Sequence, residues 1–190
     1  MKRELKPEAI LFPAPVLIIG TYDEKGEANA MNAAWGGVCS STPPCVAVSI
    51  RESRKTYENI CASCAFTVNF PGVQHLREAD YFGIVSGKDE DKLEKTGLHT
   101  KRAEHVNAPY IEEFPLALEC KVVKVVEIGS HKQVIGEITG ILAEEEVLDE
   151  KGRPDVEKIK PLIFDTVASE YRCIGEPAGK AFHDGKVFMK

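Results

Sequence analysis

Arg51, Ser53, Arg54, Lys55 and Thr56 form a dense basic and hydroxyl cluster in a chain whose formal net charge is −6. They follow Cys45 to Ile50, where Val46, Val48 and Ile50 fall on one face of an alternating strand pattern. They lead into Thr56-Tyr57-Glu58-Asn59-Ile60, which reads as the opening of a helix. A helix N-terminus offers unpaired backbone N–H groups and a partial positive charge, which together favour a bound anion. A strand that ends in this cluster and opens a helix is therefore a candidate phosphate seat. The same residues also fit a solvated loop with an ordinary Ser or Thr N-cap. Just upstream stands the only tryptophan, Trp35, which fits either a core anchor with a satisfied N–H or a ligand contact.

The sequence contains no self-sufficient set of catalytic side chains. It lacks a Gly-x-Ser-x-Gly elbow, a His-Glu-x-x-His pair and a Walker-type phosphate loop. A Rossmann Gly-x-Gly-x-x-Gly is missing too, so a nicotinamide cofactor would bind only transiently. This pattern suits a protein whose chemistry belongs to a bound cofactor. His131 closes Gly129-Ser130-His131, a turn in which a histidine is ordinarily an exposed spacer. Cys61-Ala62-Ser63-Cys64 could be a redox dithiol, half of a zinc site, or structural. A second Cys-x-x-Cys or a close His pair is missing, so no metal is expected. Thioredoxin-like use needs a strand before the motif and a helix after it. Here a helix ends near Cys64 and a strand follows, which favours structural cysteines. The other four, Cys39, Cys45, Cys120 and Cys173, read as small hydrophobes.

The elements that must position these groups are mostly strands. Val16 to Tyr22 reads as a buried strand, closed by the turn Asp23-Glu24-Lys25-Gly26, and Glu27 to Trp35 returns beside it. Ala65 to Phe70 alternates and stops at Pro71-Gly72. Val73 to Phe82 fits one short helix, and Asp89 to Thr96 a charged one stopped by Gly97. Leu116, Leu118, Cys120 and Val122 alternate, and the slip at Val122-Val123 predicts a bulge. Gly129-Ser130 turns the chain into a strand over Val134 to Ala143, and Asp155 to Ile159 suits a helical turn. Physics alone licenses a barrel or a sandwich.

At 190 residues, 43% hydrophobic and 28% charged, residues 1–190 are expected to form one domain. No apolar run approaches the ~20 residues of a membrane span. Met1-Lys2-Arg3-Glu4-Leu5 has no apolar core behind it, so a cytoplasmic location is expected. The acidic balance argues against nucleic acid as a partner.

Asn29 to Ile60 resembles the signature of the flavin reductase-like family, the FMN-binding split β-barrels, most nearly its flavoredoxin branch. The shared features are an Asn-x-Met-x-x-Ala-Trp run, a Ser-x-x-Pro-Pro turn and a Ser/Arg/Lys/Thr segment. The likeness continues through Ala79 to Leu98, Gly129 to His131 and Tyr171 to Phe182. It implies a mainly β fold: a six-stranded split β-barrel with Greek-key connections and a few short flanking helices. It also implies non-covalent FMN and a homodimer. Asn29, Met31, Asn32, Ala33 and Trp35 would run beside the flavin. Ser40, Ser41 and Thr42, at the turn before Pro43-Pro44, would lie near its pyrimidine side. Ser49 and Arg51 would close the supporting strand, and Ser53, Arg54, Lys55 and Thr56 would hold the phosphate. His131 matches the histidine of a Gly-Asp-His motif where nicotinamide docks, with Ser130 in place of the Asp. Glu176 and Lys180 match a run that closes the barrel or the dimer edge. The function implied is electron transfer from NAD(P)H or a reduced carrier, through FMN, to a small-molecule or protein acceptor. The alternative is a non-redox flavin- or haem-binding module.

Overall fold

The carboxylate of Asp23 accepts from the amides of Lys25 and Glu27, and Gly26 takes the left-handed conformation at φ +81°. That turn folds Leu17–Tyr22 against Ala28–Ala33 as an antiparallel hairpin. In the computed structural model, which describes residues 1–189, the strands are β1 Ala14–Pro15, β2 Leu17–Tyr22, β3 Ala28–Ala33, β4 Gly36–Ser41, β5 Pro44–Ile50 and β6 Ala65–Phe70. There follow β7 Thr100–Arg102, β8 Pro109–Ile111, β9 Leu116–Ile128, β10 His131–Ala143, β11 Leu162–Asp165 and β12 Glu170–Cys173. The helices are α1 Lys55–Ser63, α2 Leu76–Ile84, α3 Lys92–Thr96 and α4 Val156–Ile159.

One antiparallel sheet of seven strands runs β3-β2-β6-β9-β10-β5-β4. Its two edges, β3 and β4, are consecutive in the chain, so the sheet must curl back on itself. The join is made at Trp35, whose carbonyl accepts from the amide of Ser49 at 2.8 Å. Gly36 permits the closure, because a Cβ there would stand 2.8 Å from Leu17 Cδ1. This is the expected split barrel, with one strand more than the expected six. The extra strand is β4: Ser40 and Ser41 belong to it, opposite Cys45 and Pro44, and only Thr42 and Pro43 make the turn.

Two cores result. Inside the barrel, Leu17, Ile19, Met31, Val48, Ile60, Phe66 and Val134 pack together. Outside it, Val16, Ile18, Ala30, Ala79, Phe82, Leu93 and Leu162 join the barrel wall to α2, α3 and β11. Thus β2 is buried on both faces, which explains its unbroken apolar run. The slip in β9 is a bulge: Ile135 pairs with Lys124 and Gly136 with Val122, leaving Val123 unpaired. Gly136 lets Phe66 fill the barrel, since a Cβ there would come within 2.6 Å of the ring. Asp91 caps α3 through the amides of Leu93 and Glu94, and Gly97 ends it at φ +69°.

Several expectations need correction. The helix read from Val73 opens as a 3-10 turn, Val73–His75, before α2. Of the cysteines read as small hydrophobes, Cys45 and Cys120 are buried, but Cys39 and Cys173 are exposed. Cys61 and Cys64 are exposed as well and pack into neither core. Cys64 instead ends α1 in the left-handed conformation at φ 53°, its amide bonded to the carbonyl of Ile60. An L side chain is strained there, so Cys64→Gly is expected to stabilise the fold by about 1 kcal/mol, read from the urea midpoint. An unchanged or lower midpoint would contradict this. The run Gly175 to Phe182 does not close this chain's barrel, because residues 174–189 are exposed throughout. No helix among the described residues is long and apolar enough to cross a membrane.

Candidate functional site

Arg54 is the N-cap of α1, with extended backbone and no side-chain cap bond, so no side chain satisfies the first amides of the helix. Thr56 is turned inward, where its hydroxyl accepts from Asn29 Nδ2 at 2.9 Å. Asn59 Nδ2 donates to Thr21 Oγ1 at 3.0 Å, and Asn29 Nδ2 reaches the same oxygen at 3.5 Å. This buried polar network ties β2, β3 and α1 together and fixes the helix N-terminus beside Asn29. The segment before α3 presses close to it: a Cβ on Gly87 would collide with the side-chain oxygen of Asn29.

Lys92, the first residue of α3, is missing from the sequence-derived set and is the most unusual group in the region. It is only 4% exposed, with its Nζ 3.3 Å from the carbonyl of Phe82 and 5.7 Å from that ring's centroid. Among the described residues no carboxylate pairs with it. Burial, reinforced by Arg54 and Lys55, pushes its ammonium down to about 8. The neighbouring lysines are partnered: Lys55 with Asp23 at 3.3 Å and Lys88 with Glu58 at 3.1 Å. Asn29, Lys55, Gly87, Lys88 and Lys92 line a hollow of about 420 Å³, whose rim also carries the carboxylates of Glu27, Asp89, Glu90 and Asp91. A buried cation without a counter-charge, beside an uncapped helix N-terminus, is chemically an anion site.

A second cluster sits at the other end of β3. Six residues at ~3.3 Å each separate Asn29 from Trp35, roughly 20 Å along the strand. Trp35 is 44% exposed, so it is not a core anchor. Its ring lies 4.7 Å from that of His131. His131 is the first residue of β10, paired with Ile128, rather than a turn residue as read from the sequence. Ser130 Oγ lies 2.9 Å from His131 Nδ1, so the serine that replaces the expected Asp still holds the imidazole. Ser49 and Arg51 bracket the end of β5 beside this pair, and Arg51 and Ser53 are exposed.

The remaining predicted residues divide by face. Met31 and Ala33 point into the barrel core, which leaves only their backbone for a ligand. Asn32 points outward, donating to the carbonyl of Ala79 at 2.9 Å and reaching the Tyr171 hydroxyl at 3.4 Å. Tyr171 donates in turn to Asp80 at 2.9 Å, and burial together with that carboxylate pushes its phenol up to about 12. Ser40 and Ser41 lie at the turn end of the β4–β5 hairpin, opposite Cys45 and Pro44, with Thr42 in the turn itself.

Residues 10–171 match the family model described as flavin reductase like domain. The structure superposes on flavoredoxin of Desulfovibrio vulgaris (Miyazaki F) with a TM-score of 0.94 at 44% identity, covering 98% of this chain and 100% of that one. Flavoredoxin from Methanosarcina acetivorans gives a TM-score of 0.93 at 33% identity, with 100% of both chains covered. An uncharacterized protein of Archaeoglobus fulgidus is 34% identical over 146 residues, 77% of this chain and 80% of its own length. The chain therefore belongs to the flavin reductase-like domain family.

Proposed function

We propose that this protein holds FMN non-covalently and passes electrons from NAD(P)H or a reduced carrier to an acceptor. The observation that carries the reading is Lys92, buried with no carboxylate partner and sharing a hollow with Lys55, the first residue of α1. A phosphate dianion supplies the counter-charge that Lys92 lacks and accepts from the free helix amides, so the residues present fit the group. Arg54, Lys55 and Thr56 would complete the phosphate seat, and β3 from Asn29 to Trp35 would run beside the rest of the cofactor. FMN, when bound, supplies a ring system that takes up and releases electrons. Trp35 offers that end an aromatic face, while Ser130 orients the His131 imidazole where a nicotinamide would dock. Likeness to two flavoredoxins supports the same reading.

A homodimer belongs to this proposal. Leu5, Leu11 and Phe12 near one end and Phe182, Val187 and Phe188 near the other are exposed apolar side chains, which a second copy would cover. The six free thiols suit a reducing compartment, and the cytoplasm is the location proposed.

The test is the visible spectrum of the purified protein, followed by NADH and NADPH titration without added flavin. A yellow protein carrying one FMN per chain is expected. Bleaching by NAD(P)H identifies a reductase, and inertness to both identifies a carrier fed by another protein. A colourless chain that binds no flavin would overturn the reading, and light scattering that shows an FMN-loaded monomer would overturn the dimer.

A further inference from the structure

Cys61 and Cys64 lie outside the site described above, one on the last turn of α1 and the other at its C-cap. Both are exposed free thiols, and neither packs into a core. At Cys64 the backbone favours a different residue: φ 53° is a glycine conformation, and an L side chain there is strained. Strain of this kind clusters where side chains are used.

The spacing of the pair selects the chemistry. Residues three apart are neighbours on a helix surface, with Cβ atoms about 5–6 Å from one another. The left-handed φ of Cys64 removes the usual tilt of its Cβ toward the helix N-terminus, which keeps that gap wide. A disulfide needs ~3.8 Å between Cβ atoms, so this pair does not close without backbone movement. With metal–sulfur bonds near the ~2.3 Å of zinc thiolates, a linear sulfur–metal–sulfur bridge spans roughly 4.6 Å, within reach of side-chain rotation. Among the described residues no three His, Cys, Asp or Glu side chains come together around a metal, so one chain does not build the four-ligand site that zinc takes. Two thiolates alone suit a soft monovalent ion, copper(I). Tyr57, one turn before Cys61 on the same face, supplies an outer partner. Its hydroxyl bonds the Cys61 sulfur, and that contact first, with burial second, raises its phenol above the ordinary value.

We propose that Cys61 and Cys64 bind one copper(I) ion as a two-coordinate dithiolate, with the Tyr57 hydroxyl donating to the Cys61 sulfur. Two thiols give up two protons, two sulfur–copper bonds form, and no electron changes hands. The site lies at the opposite end of α1 from the proposed phosphate seat, and it does not depend on the flavin reading.

The test uses the full chain, reduced and kept under nitrogen, with copper(I) as the probe. Bicinchoninate competes for the ion, and its coloured complex reports the copper that the protein leaves behind. One copper(I) per chain should be withdrawn, and X-ray absorption should show two sulfur neighbours. Loss of an outer partner costs about 10- to 100-fold in metal affinity, so Tyr57→Phe should weaken binding about tenfold. Loss of one of two ligands costs more, and Cys61→Ser and Cys64→Ser should each weaken it at least about 100-fold. Cys64→Gly should do the same while raising the urea midpoint. Serine in place of the other exposed pair, Cys39 and Cys173, should leave copper binding unchanged. Failure to withdraw copper, or its retention by either single serine variant, overturns the proposal. One ion per two chains, or three or four sulfurs around it, overturns it as well, since further ligands would then complete the site. The urea midpoint of each variant reports its folding. Should a serine variant not fold, Cys64→Gly decides, and unaltered copper affinity there counts against the site.

Discussion

Replacing Lys92 with methionine is expected to weaken FMN binding about 10- to 150-fold, the equivalent of a charge-assisted contact of roughly 1.5–3 kcal/mol. Riboflavin lacks the phosphate, so its affinity should hardly move. The ligand-free protein should lose no stability, because a buried ammonium with only a carbonyl for a partner is costly to keep. Methionine fills a similar volume without charge. Arg54→Ala should act in the same direction but more weakly, since Arg54 is only half-buried and solvent screens its charge. Titration of each variant with both flavins, together with its urea midpoint, checks the prediction. Equal losses for FMN and riboflavin would mean that Lys92 supports the fold and not the phosphate.

FMN affinity should also fall as pH rises above about 8, and the sign follows from Lys92. Burial, with Arg54 and Lys55 nearby, holds its ammonium down to about 8 in the ligand-free protein. The phosphate is already a dianion at neutral pH, its second ionisation lying near ~6. A bound dianion restores the ammonium to a higher value. Below about 8 the lysine is charged with or without ligand, so affinity is flat. Above it, each FMN must bring a proton to Lys92, and the dissociation constant climbs by up to about tenfold per pH unit. Riboflavin binding, and FMN binding to Lys92→Met, should lack this slope. Fold stability moves the opposite way. An unfolded lysine titrates near ~10.4 and so binds more protons than the folded one between about 8 and 10.4, which makes the ligand-free protein gain stability across that window. An FMN affinity independent of pH from 7 to about 9.5 would remove Lys92 from the seat.

What was legible in the sequence was local. Alternation at Val46, Val48 and Ile50 gave the core face of β5, the phase slip at Val122-Val123 gave the bulge, and Gly97 gave the end of α3. β4 was hidden because Gly36-Gly37-Val38-Cys39-Ser40-Ser41 has little intrinsic strand preference and is held by pairing with β5. Lys92 was hidden in a charged run, Lys88-Asp89-Glu90-Asp91-Lys92, which looks solvated. Its burial comes from the Asp91 cap and from Leu93 packing with Phe82 in the outer core, both settled in three dimensions. The exposure of Trp35 and its approach to His131 are likewise products of barrel closure, which joins strands distant in the chain. The family motif brought out Arg54, Lys55 and Thr56, and the fold supplied the buried cation beside them.

The central claim is a phosphate seat built by Lys92 and the N-terminus of α1, and one comparison tests it most directly. The full chain, stripped of flavin and kept near neutral pH at low salt, is titrated with FMN and then with riboflavin. Saturable binding of one FMN per chain is expected, with at least about tenfold weaker binding of riboflavin and a gap that narrows as salt screens the seat. Equal affinity for the two flavins, or no saturable binding of FMN, would contradict it.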